Sequence, residues 1–211
     1  MSSYQRQLQT DLQRLENMLR RVAGGQAQGS DGSTTRILDL ACGACNEAET
    51  LANFFGHLND GAPLSSGKKV ELLGIDVRAR EIADAKRRFV PASHARPLLQ
   101  KDYQFLTGDA TKLDGHRAPD NHFDVVFMRH QNFWNGDTTW LKIFEQALAK
   151  LKTGGQLVIT SYFDREHRLA LEAIQKLGGQ LVDSQRNPES RELPTPGKSV
   201  DRHVAVFQRQ D

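Results

Sequence analysis

Four stretches of this 211-residue chain carry residue types suited to chemistry. The first is Asp39-Leu40-Ala41-Cys42-Gly43-Ala44-Cys45-Asn46. Small residues keep such a turn narrow, and Gly43 supplies backbone freedom, so a ligand can approach the main chain closely. Asp39 offers a carboxylate to that ligand, or braces the loop. The second is Asp76, at the end of an apolar run. An acidic side chain there can accept both hydroxyls of a ribose, or cap the next helix. The third is Gly108-Asp109-Ala110, where a carboxylate can accept from an adenine amino group or close a turn. The fourth is Met128-Arg129-His130-Gln131-Asn132-Phe133-Trp134-Asn135-Gly136. Arg129 can bind an anionic substrate group or pair with a carboxylate. His130 can act as a general base toward an oxygen or nitrogen nucleophile, or serve as a hydrogen-bonded structural histidine. Phe133 and Trp134 can wall a substrate pocket or pack under the following helix. Tyr162 is a similar candidate on the substrate side.

Cys42 and Cys45 form a C-x-x-C at a strand-to-helix turn, a context that lowers thiol pKa and supports disulfide exchange. The rest of the chain does not support a redox role, because the strand–helix units are too many for a thioredoxin-like domain. Zinc needs about four ligands, and no second cysteine pair exists. No metal site is therefore expected, and the cysteines read as small loop residues. With only two cysteines, a multi-disulfide scaffold is excluded and a reducing, cytoplasmic setting is expected.

These stretches need elements to position them. Leu8, Leu12, Leu15, Leu19 and Val22 recur at helical spacing and place a helix over residues 3–23. That helix is expected to fold over the cleft or pack on the sheet; a dimer seam is the other use for its stripe. Gly24-Gly25 stops it, and the Gly- and Ser-rich stretch to residue 35 reads as a flexible linker. Residues 1–35 are thus expected as an appendage, and 36–211 as the main domain. Strands are expected at 36–41, 70–76, 103–109, 123–128 and 155–163. They alternate with helices at 46–58, 79–89, about 138–151 and one ending at 176–179. On the helix over about 138–151 the buried face should hold Leu141, Phe144, Leu148 and Leu151. Residues 59–69 read as a loop insertion. Such alternation indicates a doubly wound parallel sheet. At the end, 180–186 and 203–209 read as two strands with no helix between them, most simply an antiparallel pair.

Composition limits the partners. Lys plus Arg number 28 and Asp plus Glu 26, a formal charge of +2, which excludes a polybasic nucleic-acid clamp as the default. Lys86-Arg87-Arg88 reads as a solvated helix face rather than a nucleic-acid site. Hydrophobic residues at 38% fit a globular chain, and no apolar run is long enough to span a bilayer. The first fifteen residues hold no apolar signal segment.

Taken in order, ILDLACGACNEAETLA, LLGIDVRAREIADAKRRF, FLTGDATKL, FDVVFMRH and LAKLKTGGQLVITSY, with the closing strand pair, resemble the class I S-adenosylmethionine-dependent methyltransferases. The resemblance implies a Rossmann-like sheet of seven strands, six parallel and the last antiparallel, preceded here by the N-terminal helix. It implies S-adenosyl-L-methionine as cofactor, with Asp39 near its methionine end, Asp76 on the ribose and Asp109 on the adenine. Ala41, Cys42, Gly43, Val77, Ala110 and Arg129 are expected to complete the cofactor site. Ala41 and Cys45 stand where the family commonly has glycine. Arg129, His130, Phe133, Trp134 and Tyr162 are expected on the acceptor side, with His130 as the base. Short connections favour a small-molecule acceptor, with the protein acting as a monomer or homodimer. The alternatives are a non-catalytic adenosyl-binding protein on the same fold and an NAD-dependent oxidoreductase. The latter lacks a G-x-G-x-x-G after the first strand.

Overall fold

The computed structural model describes residues 2–23, 34–57, 68–89 and 99–209. The expected linker and the insertion over 59–69 fall largely outside these residues. The elements in chain order are α1 (Ser3–Val22), β1 (Thr34–Leu40), α2 (Ala48–His57), β2 (Lys68–Asp76), α3 (Ala79–Arg88), β3 (Leu99–Thr107) and β4 (Phe123–Met128). They continue with a 3-10 turn (Phe133–Asn135), α4 (Asp137–Lys150), β5 (Leu151–Ser161), α5 (Asp164–Lys176) and β6 (Gly179–Arg186). The short strands β7 (Arg191–Glu192) and β8 (Ser199–Val200) and then β9 (His203–Arg209) complete the chain.

The main sheet has the order β3-β2-β1-β4-β5-β9-β6. β1 through β5 pair in parallel, and β9 runs antiparallel to both β5 and β6. Six strands thus share one direction and the last opposes them, as expected. Strand order reverses between β1 and β4, so the crevice outside their carboxyl ends is the ligand position of such a sheet.

Side chains alternate across each strand and divide the core in two. Ile37, Val70, Val125 and Phe127 face α1, α2 and α3. Leu38, Leu73, Val126 and Met128 face α4 and α5. α1, expected as an appendage, contributes Leu15, Met18, Leu19 and Val22 to the first of these layers and packs against α2, β9 and β6. Its capping box, Ser2 with Gln5, fixes its start.

Three expectations are corrected here. On α4 the buried face is Ile143, Phe144, Ala147 and Leu148, while Leu141 is exposed. The apolar positions allowed two overlapping stripes, and packing against the sheet selects the one centred on Phe144. β3 and β5 each start four residues before the expected points, at Leu99 and Leu151, because pairing with a neighbour recruits polar residues into a strand. The stretch expected as a plain connection before the last strand forms the small β7–β8 hairpin, with Arg191 opposite Val200 and Glu192 opposite Ser199.

Candidate active site

The turn after β1 is held by its own backbone. Cys42 N–H donates to Ile75 O at 3.2 Å, and Cys45 N–H to Cys42 O at 2.8 Å. Ala41, Gly43 and Cys45 all have positive φ, at 56°, 57° and 48°. Only Gly43 adopts that region without a Cβ penalty; the other two are strained by roughly 1–2 kcal/mol each. The strain is borne at the two positions where the sequence departs from glycine. Cys45 offsets it in part, because its buried thiol donates to Asp39 Oδ2 at 3.1 Å.

Both sulfurs gather over the neighbouring strand. A Cβ on Gly74 would lie 3.1 Å from Cys42 Sγ and 3.3 Å from Cys45 Sγ. Each cysteine is free and buried. The Cys42 sulfur and then burial push the Cys45 thiol pKa well up, and although the Cys45 thiol opposes it, burial and the nearby Asp39 raise that of Cys42. Buried, protonated thiols are poor nucleophiles, which fits a packing role.

Asp39 is fully buried, and its Oδ1 has no hydrogen-bond partner among the described residues. Desolvation and then the charge of Glu47 push its pKa well up. Glu47, on the approach to α2, was not anticipated from the sequence. It binds Arg129 Nη1 at 3.2 Å. Nothing local marks it, since its partner lies 82 residues away.

Arg129 leaves β4 into a buried network. Its Nε and Nη2 donate to Asp201 Oδ1 and Oδ2 at 3.1 and 2.6 Å. Asp201 also accepts from Thr160 Oγ1 at 2.9 Å and lies 2.9 Å from His130 Nε2. Although burial opposes it, the Arg129 charge and His130 hold the Asp201 carboxyl well below the usual range. The Asp201 N–H also approaches His130 Nε2, at 3.3 Å. The carboxylate contact is shorter and charge-assisted, so the proton is assigned to Nε2. That leaves Nδ1 as the lone-pair nitrogen. His130 stacks on Tyr162, with ring centroids 4.0 Å apart. His130 and Asp201 both have positive φ, at 58° and 48°. Two joined non-glycine residues in that region are a strained arrangement of the kind concentrated at functional sites. Asp201 was also missed: it sits in the tight turn between β8 and β9, where an aspartate reads as an ordinary turn residue.

A cleft of about 1180 Å³ opens above these groups. Ala41, Cys42, Gly43, Asp76, Val77, Arg129, His130 and Tyr162 line it, together with Glu47, Asn132 and Trp140. Its far wall is the first half of α1, from Ser3 to Asp11, and Arg191, Leu193 and Val200 of the hairpin region. Asp11 and Arg191 clasp the two parts of that wall through a bidentate pair with contacts of 2.6–3.2 Å.

The other expected residues lie elsewhere. Asp109 is exposed and accepts from Thr111 N and Oγ1 at 2.9 and 2.7 Å, a local turn outside the cleft lining. Ala110 is buried in the α4–α5 layer. Phe133 is turned into that same layer and stacks on Phe144. Trp134 rests on Phe163 at 5.0 Å, also outside the lining. The 3-10 turn over 133–135 rotates both rings away from the crevice. Of the basic run, Arg87 pairs with Asp84, but Arg88 is no free surface charge: its Nη2 donates to Ala44 O at 2.6 Å and braces the turn.

A family model described as a methyltransferase domain matches residues 31–199. Several solved structures share the fold. A TehB-like S-adenosylmethionine-dependent methyltransferase from Corynebacterium glutamicum is 17% identical, with a TM-score of 0.54, covering 97% of this chain and 98% of that one. The N-methyltransferase NodS from Bradyrhizobium japonicum is 15% identical, with a TM-score of 0.58, covering 93% and 97%. A putative methyltransferase solved in complex with the Trm112 activator, from Haloferax volcanii, is 14% identical, with a TM-score of 0.59, covering 95% and 94%. No curated protein sequence matches the chain. At such low identity these likenesses establish the fold, whereas the matched model extends over most of the sequence and over the turn, the Asp76 strand end and the Arg129–His130 strand end alike. The chain belongs to the S-adenosylmethionine-dependent methyltransferase family.

Proposed function

We propose that the cleft holds S-adenosylmethionine across the β1 and β2 strand ends and serves methyl transfer to a small, uncharged acceptor, with His130 taking the acceptor's proton. The observation that carries this reading is that His130, backed by the buried Asp201, lines the same cleft as the Gly43 turn and Asp76.

The donor set suits the cofactor. Gly43 has no side chain where a ligand must pass, and a Cβ there would come within 2.8 Å of Arg78 Nη2. The buried Asp39 and Glu47 place carboxyl groups beside the turn, and Asp39 Oδ1, without a partner among the described residues, suits a hydrogen-bond donor of the ligand. Asp76 offers its carboxylate to the ribose, and the exposed side chain of Val77 offers apolar surface to the adenine. When bound, the cofactor supplies an activated methyl group on a sulfonium. The chain's own residues then position the acceptor, exclude water and accept a proton at His130 Nδ1. Arg129 and Arg191 are already paired with carboxylates, so neither is free for an anionic acceptor. Walls contributed by the chain's own helix and hairpin favour a small molecule over a macromolecule.

Parallel calorimetric titrations test the cofactor. S-adenosylhomocysteine is expected to bind and NAD is not. Asp76→Ala should weaken S-adenosylhomocysteine binding by roughly 1.5–3 kcal/mol, the range for hydrogen bonds to a charged group. The same change removes the acceptor of Gly43 N–H, so the melting temperature should also fall. Absence of heat with S-adenosylhomocysteine at millimolar concentration would overturn the reading. Unchanged affinity in Asp76→Ala would remove Asp76 from the ribose site.

A further inference from the structure

The carboxylate at the β2 end is fully engaged by the protein itself. Asp76 Oδ1 accepts from Arg78 N–H at 2.8 Å and Arg78 Nε at 3.0 Å. Oδ2 accepts from Gly43 N–H at 2.8 Å and Arg78 Nη2 at 3.3 Å. A carboxylate has about four acceptor positions. Two are taken by backbone donors that shape the turn and α3, and two by one side chain. A vicinal diol needs two. The only pair that can be given up without opening the turn is the pair held by the Arg78 guanidinium.

The same guanidinium lies where a ligand would approach the backbone, since Nη2 is 2.8 Å from the position of a Cβ on Gly43. Arg78 is placed at the N-cap of α3, yet makes no side-chain capping bond; its side chain reaches back to Asp76 instead. It is 61% exposed, so it can leave without disturbing the core. A second carboxylate waits one turn along α3: Glu81 Oε1 is 4.0 Å from Arg78 Nη1 and also lines the cleft.

We propose that Arg78 is a built-in competitor for the cofactor's ribose, which occupies Asp76 in the ligand-free protein and swings toward Glu81 when the diol takes its place. Two N–H donors leave Asp76 and two O–H donors replace them, so the carboxylate stays satisfied throughout. Arg78 thereby sets the cofactor affinity without touching the reacting atoms. This inference rests on the assignment of Asp76 to the ribose.

The test is calorimetric titration of S-adenosylhomocysteine into the full-length protein and into Arg78→Ala and Arg78→Met, the latter keeping the apolar stem. Both variants should bind about threefold to fivefold more tightly, the effect of relieving one exposed ion pair. Glu81→Gln should bind slightly more weakly than the parent, because the displaced guanidinium loses its second partner. Melting temperatures of the ligand-free proteins check that all are folded. If the parent binds S-adenosylhomocysteine and both Arg78 variants bind it equally or less tightly, the competition is wrong while the cofactor site stands. If parent and variants all fail to bind, the cofactor assignment falls, and this inference with it.

Discussion

His130→Ala is expected to lower methyl transfer by roughly 10²–10⁴-fold, the range for a positioned acid or base, with S-adenosylhomocysteine affinity unchanged. His130 is pinned on three sides. Its backbone N–H donates to Thr160 Oγ1 at 2.9 Å, its Nε2 faces Asp201, and its ring lies on Tyr162. The imidazole therefore presents one defined lone pair instead of sampling rotamers, and positioning of this kind is what makes a base effective. Tyr162 does not substitute for it: burial and the charge of Asp201 raise its phenol pKa, so the phenol stays protonated. Tyr162→Phe keeps the stacked ring and should retain most activity. The measurement is transfer of labelled methyl from S-adenosylmethionine to a panel of small phenols, alcohols and amines. An acceptor that the parent methylates and His130→Ala methylates at the same rate would show that His130 is not the base.

Arg129→Met should destabilise the fold by about 3–5 kcal/mol, the cost of stranding buried partners of a removed charge. The stranded groups are Glu47 and Asp201, both almost wholly shielded from water. Methionine matches much of the arginine volume, so the loss reports charge rather than a cavity. The pH dependence follows. In the parent, the native pKa of Asp201 lies below its ordinary value near 3.8. Its stabilising contribution is present above that ordinary value and is lost as pH falls toward the native one. In Arg129→Met the carboxylates lose their cation and favour protonation, so the deficit relative to the parent should shrink as pH falls. Urea titrations across the acid range read this directly. A deficit below about 1 kcal/mol at neutral pH, the level of an exposed pair, would mean that the network contributes no more than a surface ion pair.

Both predictions concern a network joined across the chain, and this is where sequence reading reached its limit. The sequence by itself determined the doubly wound sheet, because alternating apolar runs and 3.6-residue stripes are local signals written in contiguous residues. It also determined the Gly43 turn, Asp76 and the Arg129–His130 strand end, since each is the last residue or turn of a strand whose direction the alternation already dictates. Position at a strand end could not say which way a side chain points. Phe133 and Trp134 follow His130 in the chain, yet the 3-10 turn sends them into the α4–α5 layer and onto Phe163. Asp109 lies just past its strand end, yet its Oδ1 accepts from Thr111 two residues away and the residue stands outside the cleft lining. The tertiary structure alone decided the partners: Glu47, 82 residues from Arg129, and Asp201, 72 residues from it, converge because β1, β4, β5 and β9 lie side by side. It alone brought the first half of α1 and the β7–β8 hairpin together as the far wall of the cleft. Pairings over such separations are fixed by the burial of the whole sheet and leave no periodic trace in the residues that make them, so charge and spacing in the sequence could name Arg129 and His130 but not the Glu47 and Asp201 they meet.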